Sequence, residues 1–321
     1  MKSNVTKVVI VGAGAVGSIA AFNLVAKGVA AEVVLVDVNK TKAQAEVWDL
    51  QHSLDFHSRN VRITLGEYED CKGADIVVIT ASAPWTGENN RILMQDKTAA
   101  IMRSIVPSVM QSGFDGIFVV VSNPVDCISW QVMQLSGLPK NRVIGTGTIL
   151  ETARLKQIVG QLVGMDLHSV DAVAIGEHGD SLLIPWSHIR LGGKSIQQVL
   201  ADNGKRFEDV DLNNLAQKVK YAGWHVMQAK GNTQFGIGSA VTAIVKAILQ
   251  DDNKVYALST YLDGEYGIKG IYCGVPAILG RDGIKEVAEF NLTEEEYKGL
   301  LQSADVIRSC IHRLEEYNQN A

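Results

Sequence analysis

A histidine between two glycines and two carboxylates carries the clearest chemistry in this sequence, in the segment Ile175-Gly-Glu-His-Gly-Asp180. Imidazole titrates near neutral pH without help, so His178 can exchange a proton with a ligand that arrives from solvent. An apolar, strand-like run at residues 170–175 precedes it. The alternative is a turn histidine bonded to its neighbours. We interpret His178 as a proton carrier because of the motifs that come earlier in the chain.

Glu151 and Arg154 lie three residues apart at the start of a predicted helix and therefore share one helix face. One interpretation is a solvated ion pair of little energetic weight. The other gives the two residues different partners. Arg154 would bind a substrate carboxylate bidentately, and Glu151 would accept a hydrogen bond from the histidine and fix its tautomer.

A glycine-rich motif near the N-terminus predicts a nucleotide site. The apolar run at 8–11 leads directly into Gly12-Ala-Gly-Ala-Val-Gly17, and a helix-like pattern follows. Gly12 makes the tight turn, Gly14 lets the backbone approach a pyrophosphate, and Gly17 lets helix and strand pack closely. The helix N-terminus would offer free N–H groups to the phosphates. By itself this motif is weak evidence, because glycine-rich turns are common.

Asp37 strengthens that prediction. It ends a second apolar run, residues 33–36, and stands 20 residues past Gly17. A carboxylate at this spacing meets the ribose hydroxyls and repels a 2′-phosphate, so the sequence favours NAD over NADP. The alternative is a surface turn residue that follows a strand.

Strand-like runs alternate with helix-like patterns through the first half, which predicts a doubly wound parallel sheet, an α/β fold of the Rossmann type. Further strands are expected at residues 61–65, 76–80, 117–121 and 143–144, and helices near 41–52, 91–111 and 124–135. We expect a dinucleotide-binding domain at 1–147 and an α+β substrate domain at 148–321. A helix at 234–250 is expected to pack back on the first domain.

Ligands of such sheets bind beyond the carboxyl ends of the strands, where two segments hold candidate site residues. The polar loop 81–88 leads into a helix that carries Arg91. The loop is either an ordinary surface connection or a lid that closes a cation onto the substrate. Asn123 ends a strand before a proline. It is either a turn residue or an amide that holds a substrate oxygen or a nicotinamide ribose.

The second half mixes strand-like and helix-like patterns without an internal repeat. A strand is expected at 182–190, helices at 212–230 and from 233 to about 250, and an antiparallel pair at 255–262 and 271–279. Residues 292–317 form a charged, amphipathic pattern that is most simply a solvated surface helix.

Composition excludes several classes of function. A net charge of −5 and a pI near 5.8, with no clustered basic face, disfavour nucleic acid. With no apolar stretch of about 18 residues and no secretory signal, we expect a cytoplasmic protein without a membrane span. The four cysteines are far apart and form no CxxC pair, so reduced thiols and no metal site are expected.

Five ordered motifs together resemble the L-lactate dehydrogenase family, within the lactate/malate dehydrogenase superfamily. They are Gly12-Ala-Gly-Ala-Val-Gly17, Ser122-Asn-Pro-Val-Asp126, Gly145-Thr-Gly-Thr148, Glu151-Thr-Ala-Arg154 and Ile175-Gly-Glu-His-Gly-Asp180. The resemblance implies hydride transfer between NADH and C2 of a 2-oxo acid, with His178 as general acid and base. It further implies a homotetramer.

The resemblance also implies roles for further residues. Arg154 would hold the substrate carboxylate, and Arg91 on the closing loop would polarise the carbonyl. Asn123 would bind on the side of the substrate's carbonyl oxygen, Thr233 would line the pocket, and Ile237 would pack against the nicotinamide.

Four departures from the family pattern bear on the substrate and on regulation. Glu151 stands where the family normally has Asp, so one extra methylene must be absorbed. Trp85 stands where lactate enzymes carry Gln and malate enzymes Arg, which disfavours malate; the indole either faces the substrate side chain or only caps the loop. Lys156 and Asp171 replace the Arg and His that bind fructose 1,6-bisphosphate in allosteric members, so no activation by it is expected.

The fourth departure is Gly223, where typical lactate enzymes have Ala and 2-hydroxyisocaproate dehydrogenases also use Gly. It is either a packing glycine or a residue that widens the pocket. Our main hypothesis is therefore an L-2-hydroxy acid dehydrogenase for 2-oxo acids with side chains larger than methyl. The alternatives are L-lactate dehydrogenase proper and, less favoured, a catalytically silent NAD-binding protein.

Overall fold

The computed structural model describes residues 5–83 and 91–320, with the backbone alone at 91–94 and 318–320. Its strands are β1 (Lys7–Val11), β2 (Glu32–Val36), β3 (Arg62–Leu65), β4 (Ile76–Ile79), β5 (Ile117–Val120), β6 (Val143–Gly145), β7 (Val170–Asp171), β8 (Arg190–Leu191), β9 (Lys194–Ser195), β10 (Lys254–Asp263), β11 (Lys269–Gly280) and β12 (Gly283–Val287).

The helices are α1 (Ala15–Ala26), α2 (Lys40–His52), α3 (Arg91–Gln111), α4 (Val125–Ser136), α5 (Ile149–Val163), α6 (Ile196–Asp202), α7 (Gly204–Phe207), α8 (Leu212–Lys230), α9 (Phe235–Gln250) and α10 (Glu294–Asn320). In the part of the chain that the structure describes, no helix is long and apolar enough to cross a membrane.

The predicted doubly wound parallel sheet is present. Its strands lie in the order β3-β2-β1-β4-β5-β6, and every neighbouring pair is parallel. The strands β1, β4 and β5 are made almost entirely of buried Val and Ile, because helices cover both faces of a parallel sheet. Their carboxyl ends therefore lie at one edge, from which the segments after β1, β4, β5 and β6 emerge.

The same sheet continues into the second half of the chain. β10 pairs antiparallel with β6 at Ser259 and Gly145, and β11 and β12 follow, also antiparallel. The predicted antiparallel pair is thus β10 and β11, and together with β12 it extends the nucleotide sheet to nine strands in the described part of the chain. A buried core joins α9 to α1 across the two halves, with Val241 and Ile244 packed among Ala20 and Leu24.

The prediction of strands at 170–175 and 182–190 is mostly wrong. β7 and β8 have only two residues each, and residues 186–188 form a short 3-10 turn. Ile175 and Leu183 form an isolated bridge instead, and Gly176 bonds to β11. The apolar residues are buried as a strand would bury them, but their backbone partners lie on several different elements.

The C-terminal helix and one cysteine pair also differ from the sequence prediction. α10 is more than a solvated surface helix, because it buries Leu300, Ala304 and Ile307 in the core shared with α4. Cys127 on α4 and Cys310 on α10 form a disulfide, so the expectation of reduced thiols is wrong for this pair. Because they are separated by 183 positions in the sequence, no local pattern indicates that they lie close together.

Candidate active site

The glycine loop after β1 has the shape of a dinucleotide cradle. Gly12 has a φ of +114°, and a β-carbon there would lie 2.7 Å from the backbone nitrogen of Ala81. A β-carbon at Gly17 would overlap the carbonyl oxygen of Gly12. These two glycines therefore permit the close packing of β1, α1 and the segment after β4.

Gly14 differs from the other two glycines because the space beside it is open. It is the N-cap of α1, and nothing lies within 4 Å of the place where its β-carbon would be. Free N–H groups of a helix N-terminus attract phosphate, and a residue without a side chain lets a pyrophosphate come close. The cradle fits the diphosphate of a dinucleotide, and a side chain at Gly14 would fill it.

Asp37 lies beside this cradle, at the end of β2. Its carboxylate accepts hydrogen bonds from the backbone nitrogens of Ala13 at 2.6 Å and Asn39 at 2.8 Å. The carboxylate is therefore fixed next to the glycine loop, where it suits a ribose diol and repels a 2′-phosphate. Thr80 closes the loop from the other side by donating to the carbonyl of Gly12 at 2.7 Å.

Asn123 lies at the same sheet edge, directly after β5. It is exposed, and a cis peptide bond joins it to Pro124. Its neighbour Ser122 is buried and donates to the carbonyl oxygen of Ala81 at 2.6 Å, which ties the ends of β4 and β5 together. α4 begins at Val125, two residues after Asn123, and carries Asp126 in its first turn.

The loop that carries His178 is held from both sides. Gly176 exchanges two backbone hydrogen bonds with Gly274 in β11, at 2.8 and 2.9 Å. The backbone nitrogen of Glu177 donates to the Oγ atom of Ser303 on α10 at 2.7 Å. The histidine is thereby fixed against both the sheet and the C-terminal helix.

Two carboxylates from different helices bind His178. Its backbone nitrogen donates to Asp126 Oδ2 at 2.9 Å, and its Nδ1 lies 3.0 Å from Glu151 Oε2. Since an ionised carboxylate only accepts, Nδ1 must carry the proton in that bond, which leaves Nε2 to face a substrate. Ser259 in β10 donates to the other oxygen of Asp126 at 2.5 Å.

Glu151 serves two partners at once. Its second oxygen, Oε1, accepts from Nη1 of Arg154 at 2.6 Å, and its side chain is only 6% exposed. Glu151 therefore binds the histidine, as one interpretation of the sequence expected, and it also binds the neighbouring arginine. A buried carboxylate between two cations is far from the solvated surface pair considered from the sequence.

The charges in this cluster shift one another's protonation. Glu151 raises the pKa of His178 to about 9, because the nearby carboxylate favours the imidazolium over the neutral ring, against the opposing effect of burial. Burial also opposes ionisation of Glu151, but His178 and Arg154 outweigh it and keep its pKa below the usual value. Burial raises the pKa of Asp126 to about 6 despite its hydrogen bonds.

Gly223 on α8 faces the arginine of this cluster. A β-carbon there would lie 2.9 Å from Nη2 and 3.3 Å from Nη1 of Arg154. Thr233 and Ile237 are half-buried, before and within the first turns of α9. Trp85 lies outside the described residues. Arg91 is the first residue of α3, and its side chain is likewise outside them.

The structure thus brings His178 and Arg154 each into contact with Glu151, while the predicted roles of the three residues stay predictions. Sequence reasoning missed Asp126 and Ser259 as partners of the histidine. Asp126 stood within the motif after β5, and its carboxylate between apolar residues was the available signal. Among the described residues, no cluster of three or more His, Cys, Asp or Glu side chains could hold a metal ion.

A dinucleotide cradle and a partly buried imidazolium beside an arginine define a class, the NAD-dependent dehydrogenases of small anionic hydroxy acids. The chain belongs to the L-lactate dehydrogenase family of the lactate/malate dehydrogenase superfamily. Residues 6–145 match the family described as "lactate/malate dehydrogenase, NAD binding domain". Residues 148–317 match "lactate/malate dehydrogenase, alpha/beta C-terminal domain".

Curated relatives and solved structures agree with this assignment. The chain is 46% identical to L-lactate dehydrogenase 3 of Bacillus thuringiensis subsp. konkukian over 309 residues, 96% of this chain and 98% of that protein. It is 42% identical to L-lactate dehydrogenase 2 of Bacillus anthracis, covering 97% and 99%. The minor L-lactate dehydrogenase of Enterococcus mundtii, in a ligand-bound crystal structure, superimposes with a TM-score of 0.93 at 41% identity, covering 97% and 98%.

Proposed function

We propose that this NAD-dependent dehydrogenase interconverts pyruvate and L-lactate. The observation that carries the proposal is the shared carboxylate of Glu151, which binds the proton carrier His178 and the cation Arg154 at the sheet edge that also carries the cradle. The relatives named above support pyruvate as the 2-oxo acid, because they are L-lactate dehydrogenases. A single carboxylate group on the substrate also matches the single arginine of the described cluster.

NADH, when bound, supplies the hydride that reduces C2 of the 2-oxo acid. His178 supplies the proton from Nε2 to the carbonyl oxygen, so that the ketone becomes an alcohol. Glu151 keeps the imidazole protonated before the transfer and holds Nδ1 so that Nε2 points one way. In the reverse direction the neutral imidazole accepts the alcohol proton.

Arg154 would bind the substrate carboxylate, and in doing so it must share its guanidinium between the substrate and Glu151. A guanidinium has five N–H donors, so Nη1 can stay on Glu151 while other edges bind the ligand. Asn123 would bind the carbonyl oxygen or the ribose, Thr233 would line the pocket, and Ile237 would contact the nicotinamide. Arg91 would polarise the carbonyl when the loop at 81–88 closes, and Trp85 would line or cap that loop.

The hypothesis of a substrate side chain larger than methyl has less support than pyruvate. It rested on Trp85, which lies outside the described residues, and on Gly223. The space beside Gly223 adjoins the guanidinium of Arg154, so the missing methyl group does not by itself enlarge a side-chain pocket.

The decisive experiment compares kcat/KM for pyruvate, 2-oxoisocaproate, phenylpyruvate and oxaloacetate with NADH. We expect pyruvate to be preferred by at least about tenfold. A preference for 2-oxoisocaproate would restore the larger-substrate hypothesis. Tight NADH binding without turnover of any 2-oxo acid would support a silent NAD-binding protein instead.

Family likeness further supports a homotetramer, and the surface supplies candidate contacts. Trp48 on α2 is 55% exposed, and Tyr221 on α8 is 49% exposed. Large aromatic side chains on two separate helices suit two interfaces with further copies of the chain. Light scattering after gel filtration should give about four times the chain mass of 34.7 kDa.

Two smaller expectations complete the proposal. The acid at Asp171 should prevent activation by fructose 1,6-bisphosphate, so adding it should leave the KM for pyruvate unchanged. The cytoplasmic location stays a prediction. Thiol labelling of the protein in fresh extract would show whether the Cys127–Cys310 pair is reduced in the cell.

A further inference from the structure

We infer that Gly223 determines how well the enzyme binds the carboxylate of its substrate, by leaving room for the guanidinium of Arg154 where Glu151 holds it. The inference rests on the proposed function, since it assumes that Arg154 binds a 2-oxo acid. It assigns Gly223 to the carboxylate end of the substrate. The alternative assigns it to the substrate side chain.

The first step is the position of the guanidinium. Arg154 and Glu151 lie three residues apart on α5, and the 2.6 Å bond between Nη1 and Oε1 fixes one edge of the guanidinium. The arginine side chain is 18% exposed and Glu151 is 6% exposed, so water competes little for this bond. A buried, charge-assisted bond of this kind restrains the arginine more than a surface pair would.

The second step is the space between Gly223 and the guanidinium. A β-carbon at Gly223 would lie 2.9 Å from Nη2, 3.3 Å from Nη1 and 3.4 Å from Cζ of Arg154. The first distance is shorter than van der Waals contact. Nη1, one of the atoms close to this position, is the atom bonded to Oε1 of Glu151, so moving the guanidinium away from residue 223 also moves an atom of that ion pair. Any side chain at 223 therefore displaces the cation or weakens its ion pair.

The third step separates this effect from helix stability. Gly223 lies inside α8, where its backbone is helical and where Ala is normally more stable than Gly. Gly223→Ala should thus raise the Tm by about 1–2 °C if nothing else changes. Since this gain opposes any loss from a weakened ion pair, the inference predicts a protein that stays folded and yet binds its substrate more weakly.

The experiment measures KM and kcat of Gly223→Ala for pyruvate and for 2-oxoisocaproate. We expect KM to rise by the same factor for both, about tenfold, with kcat changed less than about threefold. The same factor is expected because both substrates present the same carboxylate. A loss confined to 2-oxoisocaproate would overturn the inference in favour of a side-chain pocket, and an unchanged KM for both would overturn it as well.

A double-mutant cycle with Glu151→Asp tests the coupling. The shorter carboxylate should release the guanidinium, so Gly223→Ala should cost about tenfold in the parent and at most about twofold in the Glu151→Asp background. Additive effects would contradict the inference. Affinity for oxamate, a non-reactive analogue of pyruvate, in the presence of NADH gives the same cycle even where turnover is low.

Gly204→Ala serves as the matched control. Gly204 begins α7, and nothing lies within 4 Å of its β-carbon position. It should leave KM and oxamate affinity unchanged. A wild-type enzyme that turns over no 2-oxo acid and binds no oxamate would refute the proposed function, whereas additivity in an active enzyme refutes only the role of Gly223.

Discussion

The cofactor end and the substrate end of this site are built from different kinds of contact. At the cofactor end main-chain shape dominates, since Gly12 and Gly17 allow backbones to touch and Gly14 leaves open space. At the substrate end charged side chains dominate, with Glu151 bound to both His178 and Arg154. Changes at the first end should therefore act on NADH binding and folding, and changes at the second on substrate binding, on kcat and on its pH dependence.

The largest effect should come from removing the proton carrier. His178→Asn should lower kcat for 2-oxo acid reduction by about 10²–10⁴-fold, because no other described side chain replaces Nε2 as acid. The Kd for NADH should stay within about twofold, as the cradle lies on other elements. Stopped-flow fluorescence of NADH binding and steady-state rates would measure both. A kcat reduced less than tenfold would mean that another group donates the proton.

Two glycine-to-alanine substitutions in the cradle should have different effects, because one glycine lies beside open space and the other is packed against backbone. Gly14→Ala should raise the Kd for NADH by about 10–100-fold and leave the Tm nearly unchanged, since its methyl group meets only the ligand. Gly17→Ala should lower the free energy of unfolding by about 1–3 kcal/mol, because its methyl group overlaps the carbonyl of Gly12. Titration calorimetry and denaturant unfolding separate the two. Equal loss of stability in both variants would remove the distinction between open and packed glycines.

Glu151→Gln should change the pH dependence of the reaction. Reduction needs protonated His178, so its rate falls as the pH rises through the pKa of that residue, about 9 in the parent. Without the carboxylate the pKa should return towards about 6.5, and about tenfold of the activity at pH 7.5 should be lost through deprotonation alone. The falling limb of kcat/KM against pH would move down by more than one unit. A limb that stays near 9 would show that Glu151 does not set it.

The same linkage affects stability. The raised pKa of His178 means that the ion pair stabilises the fold fully below about pH 6.5 and that this contribution is lost as the pH rises through about 9. The difference in unfolding free energy between the parent and Glu151→Gln should therefore shrink above pH 9. Denaturant titrations at pH 6, 8 and 10 would follow it.

The smallest effect on activity should come from Ser259→Ala. Ser259 donates to buried Asp126, and losing a bond to an ionised carboxylate costs about 1.5–3 kcal/mol of unfolding free energy. The loss should decrease below about pH 6, where Asp126 takes up a proton and the bond is no longer charge-assisted. The control is Ser309→Ala, because the hydroxyl of Ser309 donates to the backbone carbonyl oxygen of Asp305 at an exposed position. A loss that is independent of pH would mean that Asp126 does not change its protonation state over this range, and the prediction would be wrong.

Much of the fold followed from local patterns. Buried Val and Ile runs marked the parallel strands, and the helix at 212–230 has the observed bounds of α8. The patterns failed where backbone partners are distant, as in the apolar run at 182–190, whose residues bond to several elements. They also failed for Cys127 and Cys310, because no spacing rule connects positions on α4 and α10.

The candidate site divides in the same way. The spacing of Glu151 and Arg154 indicated a shared helix face, and the geometry adds that one carboxylate binds the arginine and the histidine together. The carboxylate of Asp126 between apolar residues was a signal that sequence reasoning did not use, and nothing in the sequence indicated that Ser259 supports it. The sequence also did not indicate that Gly223 faces Arg154, because the two residues lie on different helices.

The sequence by itself determined the parallel sheet, the dinucleotide cradle and the candidate proton carrier, because each depends on residues that are adjacent or regularly spaced in the chain. The tertiary structure decided which groups surround that histidine and how their charges shift its pKa. The physical reason is that electrostatic and hydrogen-bond energies depend on distances of about 3 Å between side chains, and only the folded chain brings α4, α5, α8 and the histidine loop that close.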